Sequence, residues 1–304
     1  MSAPIRLALT PPVGGQVIGD DIHLLVDIAR ICEQGAVDTL VVVDHVIMGE
    51  RHDRYDWGRF AFGNGAPWPE PLTVMAAMAG ATSRLRFATG ILIAGLRRPA
   101  LLAKTVATLD RLSLGRIDLG VGIGWQPEEY EAMDLDFTRR GRIMDETIAA
   151  CQRLWADGPA HLPSASGELQ RTWCDPKPVQ PGGPPIWFSG VLHANNIRRI
   201  ATMGRGWIPI MGATTDDITT GIGVLRDALA AEGRAADELL VRAPLPLARA
   251  GGAVDLAATL AAAPTVAAAG ATEVSLPMSV FVSTMADVEP FVDRLTAAWA
   301  SLWP

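Results

Sequence analysis

Strand-like and helix-like segments alternate from one end of the chain to the other, and this alternation restricts the architecture more than any other feature. Short β-branched or apolar runs fall at residues 5–10, 39–43, 86–93, 117–122, 185–189, 206–210, 240–247 and 273–277. Apolar runs of that length suit strands buried on both faces, as in parallel sheets. Between them lie segments with apolar residues three and four apart. Residues 20–34 carry Leu24, Leu25, Ile28, Ala29 and Ile31 on one side. Residues 99–112 open with Pro99 at the favoured first helical position and carry Leu102, Val106 and Leu109. Residues 139–155 and 216–232 read the same way. Eight strand–helix units in 304 residues predict an α/β chain, a single (β/α)8 TIM-barrel domain over residues 1–304. The alternative is an open doubly wound sheet. Such a sheet announces itself by a Gly-rich turn after the first strand, where this chain has Thr10-Pro11-Pro12-Val13-Gly14-Gly15.

Charge and composition narrow the function classes. With 26 Lys plus Arg against 33 Asp plus Glu, the net charge is -7, and no basic stripe is available to neutralise nucleic-acid phosphates. An apolar fraction of 49% argues against disorder. The longest stretch free of Lys, Arg, Asp and Glu, residues 178–197, holds four prolines and three glycines, so no membrane-spanning helix is expected. The N-terminal residues lack a basic stretch followed by an apolar run, which makes the cytoplasm the expected location. Cys32, Cys151 and Cys174 form no CxxC and have no histidine nearby to complete a zinc set; they read as buried free thiols, and no metal site is expected.

A barrel directs the search for chemistry to the C-terminal ends of its strands. A long loop after strand two, residues 46–71, holds Trp57, Phe60, Phe62 and Trp68 among Arg51, Arg54 and Arg59, and reads as a lid or as a hydrophobic flap. An insertion after the fourth helix, residues 157–184, belongs by chain order to the opposite, stability face. Strand two ends in Asp44-His45, polar groups that either face a pocket or cap a turn. Strand four ends in Gly120-Val121-Gly122-Ile123-Gly124-Trp125, which misses the GxGxxG fingerprint. Its alternate glycines allow either the approach of a flat ring or dense packing of a narrow barrel.

The stretch from Ala107 to Ala132, with Leu119-Gly120-Val121-Gly122-Ile123-Gly124-Trp125 at its centre, resembles the central signature of the luciferase-like flavin and deazaflavin oxidoreductases. Asp44-His45, Thr89-Gly90-Ile91-Leu92, Arg98-Pro99, Arg140-Gly141-Arg142 with Asp145-Glu146, and Pro176-Lys177-Pro178-Val179-Gln180 agree in order and spacing. The pattern is most similar to the actinobacterial deazaflavin branch and covers nearly the whole chain, most weakly beyond residue 248. The resemblance implies a bacterial luciferase-like barrel, often a homodimer, whose mouth holds coenzyme F420 or FMN. It places Asp44 and His45 beside the ring and a bulge with a non-prolyl cis peptide at Gly90-Ile91 behind it, with Ile93 following. Ile123, Gly124 and Glu128 match positions that meet the cofactor, and Ser189, Gly190, His193 and Ala194 match its phosphate loop, where amides at a helix start suit an anion.

Departures from the family pattern shape the expected activity. Trp125 stands where some deazaflavin sugar-phosphate dehydrogenases carry a proton-transferring glutamate, which disfavours that activity and walls the pocket with an aromatic face. Together with Tyr55, Trp57 and Trp68 it is expected to line the substrate pocket. Leu114 replaces a common glycine, and Arg205 replaces a common aspartate. Arg139, Arg140 and Arg142 read as cofactor contacts or as ion pairs with Asp136, Asp145 and Glu146. The reading is an F420-dependent oxidoreductase passing a hydride to or from a small apolar or planar organic substrate. An FMN-dependent monooxygenase and a cofactor-binding barrel without turnover are the alternatives. Among the five histidines, His23 and His161 lie away from predicted strand ends, His52 lies in the long loop and His193 matches the phosphate position. His45 is therefore the expected catalytic acid.

Overall fold

The computed structural model describes residues 5–13, 17–55, 60, 62–63, 65–164, 167–210 and 212–303. Each of the eight expected runs forms a strand: β1 (Arg6–Thr10), β2 (Thr39–Val42), β3 (Arg86–Thr89), β4 (Ile117–Gly122), β5 (Ile186–Ser189), β6 (Gly206–Ile208), β7 (Leu240–Pro244) and β8 (Glu273–Pro277). Each pairs in parallel with the next, and β8 returns to β1 through Arg6↔Glu273 and Leu7↔Val274. Closure excludes the open sheet. Strand three has one interruption: after Thr89 the Gly90–Ile91 peptide is cis, as expected for that position, and Leu92–Ile93 then resumes pairing with Val121 and Gly122 of β4.

The helices are α1 (Leu24–Gln34), α2 (Pro71–Gly80), α3 (Pro99–Leu112), α4 (Pro127–Glu131), α5 (Arg140–Trp155), α6 (Ala194–Thr202), α7 (Thr215–Ala231), α8 (Leu256–Leu260), α9 (Ala263–Ala268) and α10 (Val288–Ser301). The expected helix at 20–34 starts only at Leu24, because residues 17–23 form turns instead. The ring of helices buries the apolar stripes read from the sequence, with Leu25, Ile28 and Ala29 of α1 and Leu102, Val106 and Leu109 of α3 in the core. All three cysteines are buried and free. Among the described residues no helix is long and apolar enough to cross a membrane.

The N-terminal end of the barrel is closed by a polar layer that apolar patterning did not foresee. Arg86 donates to both carboxylate oxygens of Asp118 at 3.0 and 3.1 Å, Thr39 donates to Glu273 at 2.6 Å, and buried Arg242 pairs with Glu273. Charges can be buried there because each carboxylate meets a guanidinium or hydroxyl on a neighbouring strand. The 157–184 insertion forms an antiparallel hairpin, Ala160–Ser164 with Gly167–Thr172, and then docks on the same end of the barrel. Buried Asp110 of α3 accepts from the amides of Val179 and Gln180 at 2.7 and 3.0 Å, while the Gln180 side chain donates to the carbonyl of Ile117, the first residue of β4. The insertion thus lies on the stability face, and the opposite mouth is left to the loops after the strands. With the short α4 counted, it follows the fifth helix rather than the fourth.

Candidate active site

The chain leaving β2 sends two adjacent side chains in different directions, as an extended backbone requires. Asp44 is buried and fully engaged: its carboxylate accepts from the Ile93 amide at 2.8 Å and from Arg97 Nη1 and Nη2 at 2.7 and 3.0 Å. Arg97 also donates to Glu70 at 2.9 Å. Asp44 therefore ties the end of β2 to the resumed strand three, and that is where its hydrogen-bonding capacity goes. His45 turns toward α4, with Nδ1 3.3 Å from Glu129 Oε1, the same oxygen that accepts from the Val46 amide at 2.8 Å.

Glu129 is the residue that sequence reading missed. The reading singled out Glu128, one position earlier in the run Pro127-Glu128-Glu129-Tyr130-Glu131. Consecutive residues on a helix face different ways, and only the seating of α4 decides which glutamate meets β2. Tyr130, donating from its hydroxyl to the Ile123 carbonyl at 2.7 Å, sets that seating, and burial pushes its hydroxyl well above the usual phenol range. Glu128 instead packs beside Gly49, whose amide donates to Gln126 at 2.7 Å. The carboxylates of Glu128 and Glu129 each keep one buried oxygen, Oε2, without a hydrogen-bond partner among the described residues.

The alternate glycines of β4 make room for the neighbouring strand. A Cβ on Gly120 would lie 2.1 Å from the Thr89 carbonyl oxygen, one on Gly122 would lie 2.7 Å from Ile91, and one on Gly124 would lie 3.1 Å from Ile93. Of the two readings of this pattern, dense packing is the one the geometry bears out. Ile91 and Ile93 fill the space, and Gly124 also adopts a left-handed backbone with φ +66. Gly90 and Ile91 are half-buried between fully buried Thr89 and Leu92, so they form the part of strand three that reaches the mouth.

Aromatic rings from the long loop cover the ends of β2 and β4. His45 lies 4.7 Å from Trp68, centroid to centroid. Phe60 packs on Trp125 at 5.2 Å, Tyr55 on Trp125 at 5.3 Å, Phe62 on Trp68 at 4.8 Å and His52 on Phe60 at 5.0 Å, in edge-on or tilted contacts favoured by ring quadrupoles. The loop thus packs onto the residues expected at the site, and burial raises the Tyr55 hydroxyl above its usual range. Trp57 lies outside the described residues. His52 Nε2 and Trp68 Nε1 are buried without hydrogen-bond partners among the described residues.

At the end of neighbouring β5, Gly190 has φ +114 and donates its amide to Ile208 O at 3.0 Å. His193 is the N-cap of α6, its Nδ1 accepting from the Asn196 amide at 3.4 Å, and Asn196 in turn holds the carbonyls of Ser189 and Val191. The first-turn amides at Ala194 and Asn195 have no intrahelical acceptor, as at any helix start. Of the expected ion pairs, Arg142–Glu146 forms at 2.7 Å on the surface. Asp145 is taken instead by Arg199 and Arg198 of α6, at 2.5 and 3.0 Å, because α5 and α6 pack side by side. Arg140 stacks over Phe137 at 4.0 Å. Among the described residues no group of three or more His, Cys, Asp or Glu could hold a metal ion.

The sequence profile of luciferase-like monooxygenases matches residues 2–300. The chain belongs to the luciferase-like monooxygenase family. Members of this family are oxidoreductases and monooxygenases, and this member's closed parallel barrel is the luciferase-like fold. Its curated relatives include the uncharacterized protein Rv0953c of Mycobacterium tuberculosis, 33% identical over 165 residues, 54% of this chain and 57% of the relative. Another is the phthiodiolone/phenolphthiodiolone dimycocerosates ketoreductase of Mycobacterium tuberculosis, 31% identical over 54% of this chain and 44% of the relative. The chain thus spans about half the length of these curated relatives. Among solved structures, the monooxygenase RslO1 from Streptomyces bottropensis superimposes with a TM-score of 0.79 at 18% identity, over 99% of this chain and 100% of that one. An F420-dependent secondary alcohol dehydrogenase bound to an F420–acetone adduct gives 0.74 at 14% identity, over 98% and 99%. These likenesses are likenesses of fold, and they include both F420-dependent and FMN-binding proteins.

Proposed function

We propose that this luciferase-like family member is an F420-dependent oxidoreductase acting on a small apolar or planar organic substrate, residues 1–304 working as one barrel domain and pairing as a homodimer in the cytoplasm. The observation that carries the reading is His45, held at the mouth between Glu129 and a wall of aromatic rings, on the strand beside the Gly90–Ile91 bulge. The residues at the mouth fit a flat heteroaromatic ring with a phosphate-bearing tail. Gly90 and Ile91 offer a half-exposed shelf, Ile93 and Gly124 pack behind it, and Ile123 ends the neighbouring strand. The buried polar atoms of Glu128, Glu129, His52 and Trp68 that have no partner among the described residues suit a ring bearing both donors and acceptors. Ala194, with its neighbour Asn195, would hold the phosphate through the open amides at the start of α6, while Ser189, Gly190 and His193 shape the loop around it, the Gly190 and His193 amides being donated to the carbonyls of Ile208 and Val191.

When bound, the deazaflavin supplies hydride transfer at its ring carbon. This chain's residues do the rest. The described aromatic residues of the long loop exclude water from His45, and Trp125, Tyr55 and Trp68 present aromatic faces to the substrate. His45 delivers or removes the proton at the substrate oxygen or carbon where charge develops, as a general acid or base.

Titrating the protein with F420 and with FMN, followed by fluorescence quenching, tests the cofactor. Tighter binding of F420 supports the reading, and a clear preference for FMN moves it to oxygen-dependent monooxygenation. His45→Ala is expected to keep F420 affinity within a few-fold and to lower turnover by ~10²-fold or more. Unchanged turnover in that variant removes His45 from the proton-transfer role, and binding of either cofactor with no turnover of any substrate leaves a carrier barrel.

A further inference from the structure

His45 has two ring nitrogens, and which of them bears the proton decides what the other can do. Nδ1 faces Glu129 Oε1 at 3.3 Å, and Glu129 is completely buried while the His45 side chain is only 10% exposed. The same oxygen is pinned by the Val46 amide at 2.8 Å, one residue along the chain from the imidazole it faces. A carboxylate oxygen accepts and cannot donate when ionised, so the ring must present N–H at Nδ1 to use this contact. Tying Val46 to α4 needs only a neutral acceptor. Burying a carboxylate whose second oxygen has no partner among the described residues is costly for a tether alone.

We propose that Glu129 is the positioning residue for His45: it holds the imidazole in the Nδ1–H form, leaving Nε2 to exchange a proton with the substrate, and its charge offsets the imidazolium once that proton is taken up. The inference rests on His45 working at the mouth as described above. Orientation of a proton-transferring histidine by a buried carboxylate is a general device, in which loss of the correct tautomer abolishes transfer while the fold persists. The aromatic rings of Trp68, Phe60 and Trp125 surround the imidazole but contribute no acceptor, so among the described residues Glu129 is the group that sets its orientation.

The test reads the tautomer itself, in protein carrying 15N-labelled histidine and without cofactor. The wild type is expected to show the Nδ1–H form at His45. Glu129→Ala should shift it toward the Nε2–H form that unrestrained imidazole favours. Glu129→Gln should retain Nδ1–H, because the amide carbonyl can replace Oε1 toward both Val46 and His45. With F420 and an accepted substrate, kcat should fall by about tenfold or more in the alanine variant and less in the glutamine variant, with cofactor affinity unchanged. An Nε2–H ring in the wild type, or an unchanged tautomer in a folded Glu129→Ala protein, overturns the proposal. Absence of turnover in the wild type would count against the proposed function, while the spectra would still decide the role of Glu129.

Discussion

Leu114 sits where the family commonly has glycine, and the structure explains the preference. Its φ is +56, a left-handed conformation that brings Cβ against the backbone, and its side chain is 79% exposed, so no packing compensates. The conformation costs an L-residue roughly 1–2 kcal/mol, and glycine gives back about 0.4–1 kcal/mol through the freer unfolded chain. Leu114→Gly should therefore stabilise the protein by on the order of 0.5 kcal/mol, visible as a higher denaturant midpoint at unchanged slope. A lower midpoint would show that Leu114 makes a contact that matters. At this scale the sequence was only half legible. Residue types at strand ends singled out His45 and the family resemblance pointed to the cis peptide at Gly90–Ile91, whereas the choice between Glu128 and Glu129 depended on a side-chain direction that no pattern records.

Among the elements, β3 and β4 fit closely. Gly120, Gly122 and Gly124 recur at every second position because the carbonyl of Thr89 and the side chains of Ile91 and Ile93 occupy their Cβ directions. Gly120→Ala would drive a methyl to within 2.1 Å of a backbone oxygen that cannot swing aside, whereas the same change at Gly80 or Gly223 meets nothing within 4 Å. We expect Gly120→Ala to cost at least about 2 kcal/mol and Gly223→Ala, on helix α7, to be neutral or to stabilise by up to ~1 kcal/mol. Chemical denaturation of the pair checks this, and equal effects would mean that the two strands can separate without penalty. Asp44 belongs to the same junction. Read from the sequence as a ring contact, it is committed to Arg97 and the Ile93 amide, and it contributes to the site by fixing strand three.

Across the whole molecule, acidic groups fasten elements distant in sequence. Glu33 at the end of α1 accepts from the Ser83 and Arg84 amides before β3, at 2.8 and 2.5 Å, and Glu70 caps α2 while binding Arg97. Burial works against ionisation of both, but the hydrogen bonds outweigh it and hold each carboxyl below its ordinary value of 4.5. A folded pKa below the unfolded one means stabilisation that is complete above about pH 4.5 and is lost as pH falls through the folded value. The Tm advantage of the wild type over a Glu33→Gln, Glu70→Gln variant should thus be full at neutral pH and shrink as the pH falls below the ordinary carboxyl value of 4.5; a gap independent of pH would contradict it. The chain's pattern of apolar runs was sufficient to place eight strands alternating with helices, and the return of β8 to β1 then decided for the closed barrel over the open sheet. Each buried strand needs a continuous apolar stretch and each covering helix an apolar stripe, and both are local, periodic properties of the sequence. The polar layer at the barrel floor, the docking of the 157–184 insertion, the packing of the aromatic loop and the pairing of Glu129 with His45 were decided only by the tertiary structure. They join residues from separate elements, whose distances and directions exist only once the barrel has closed.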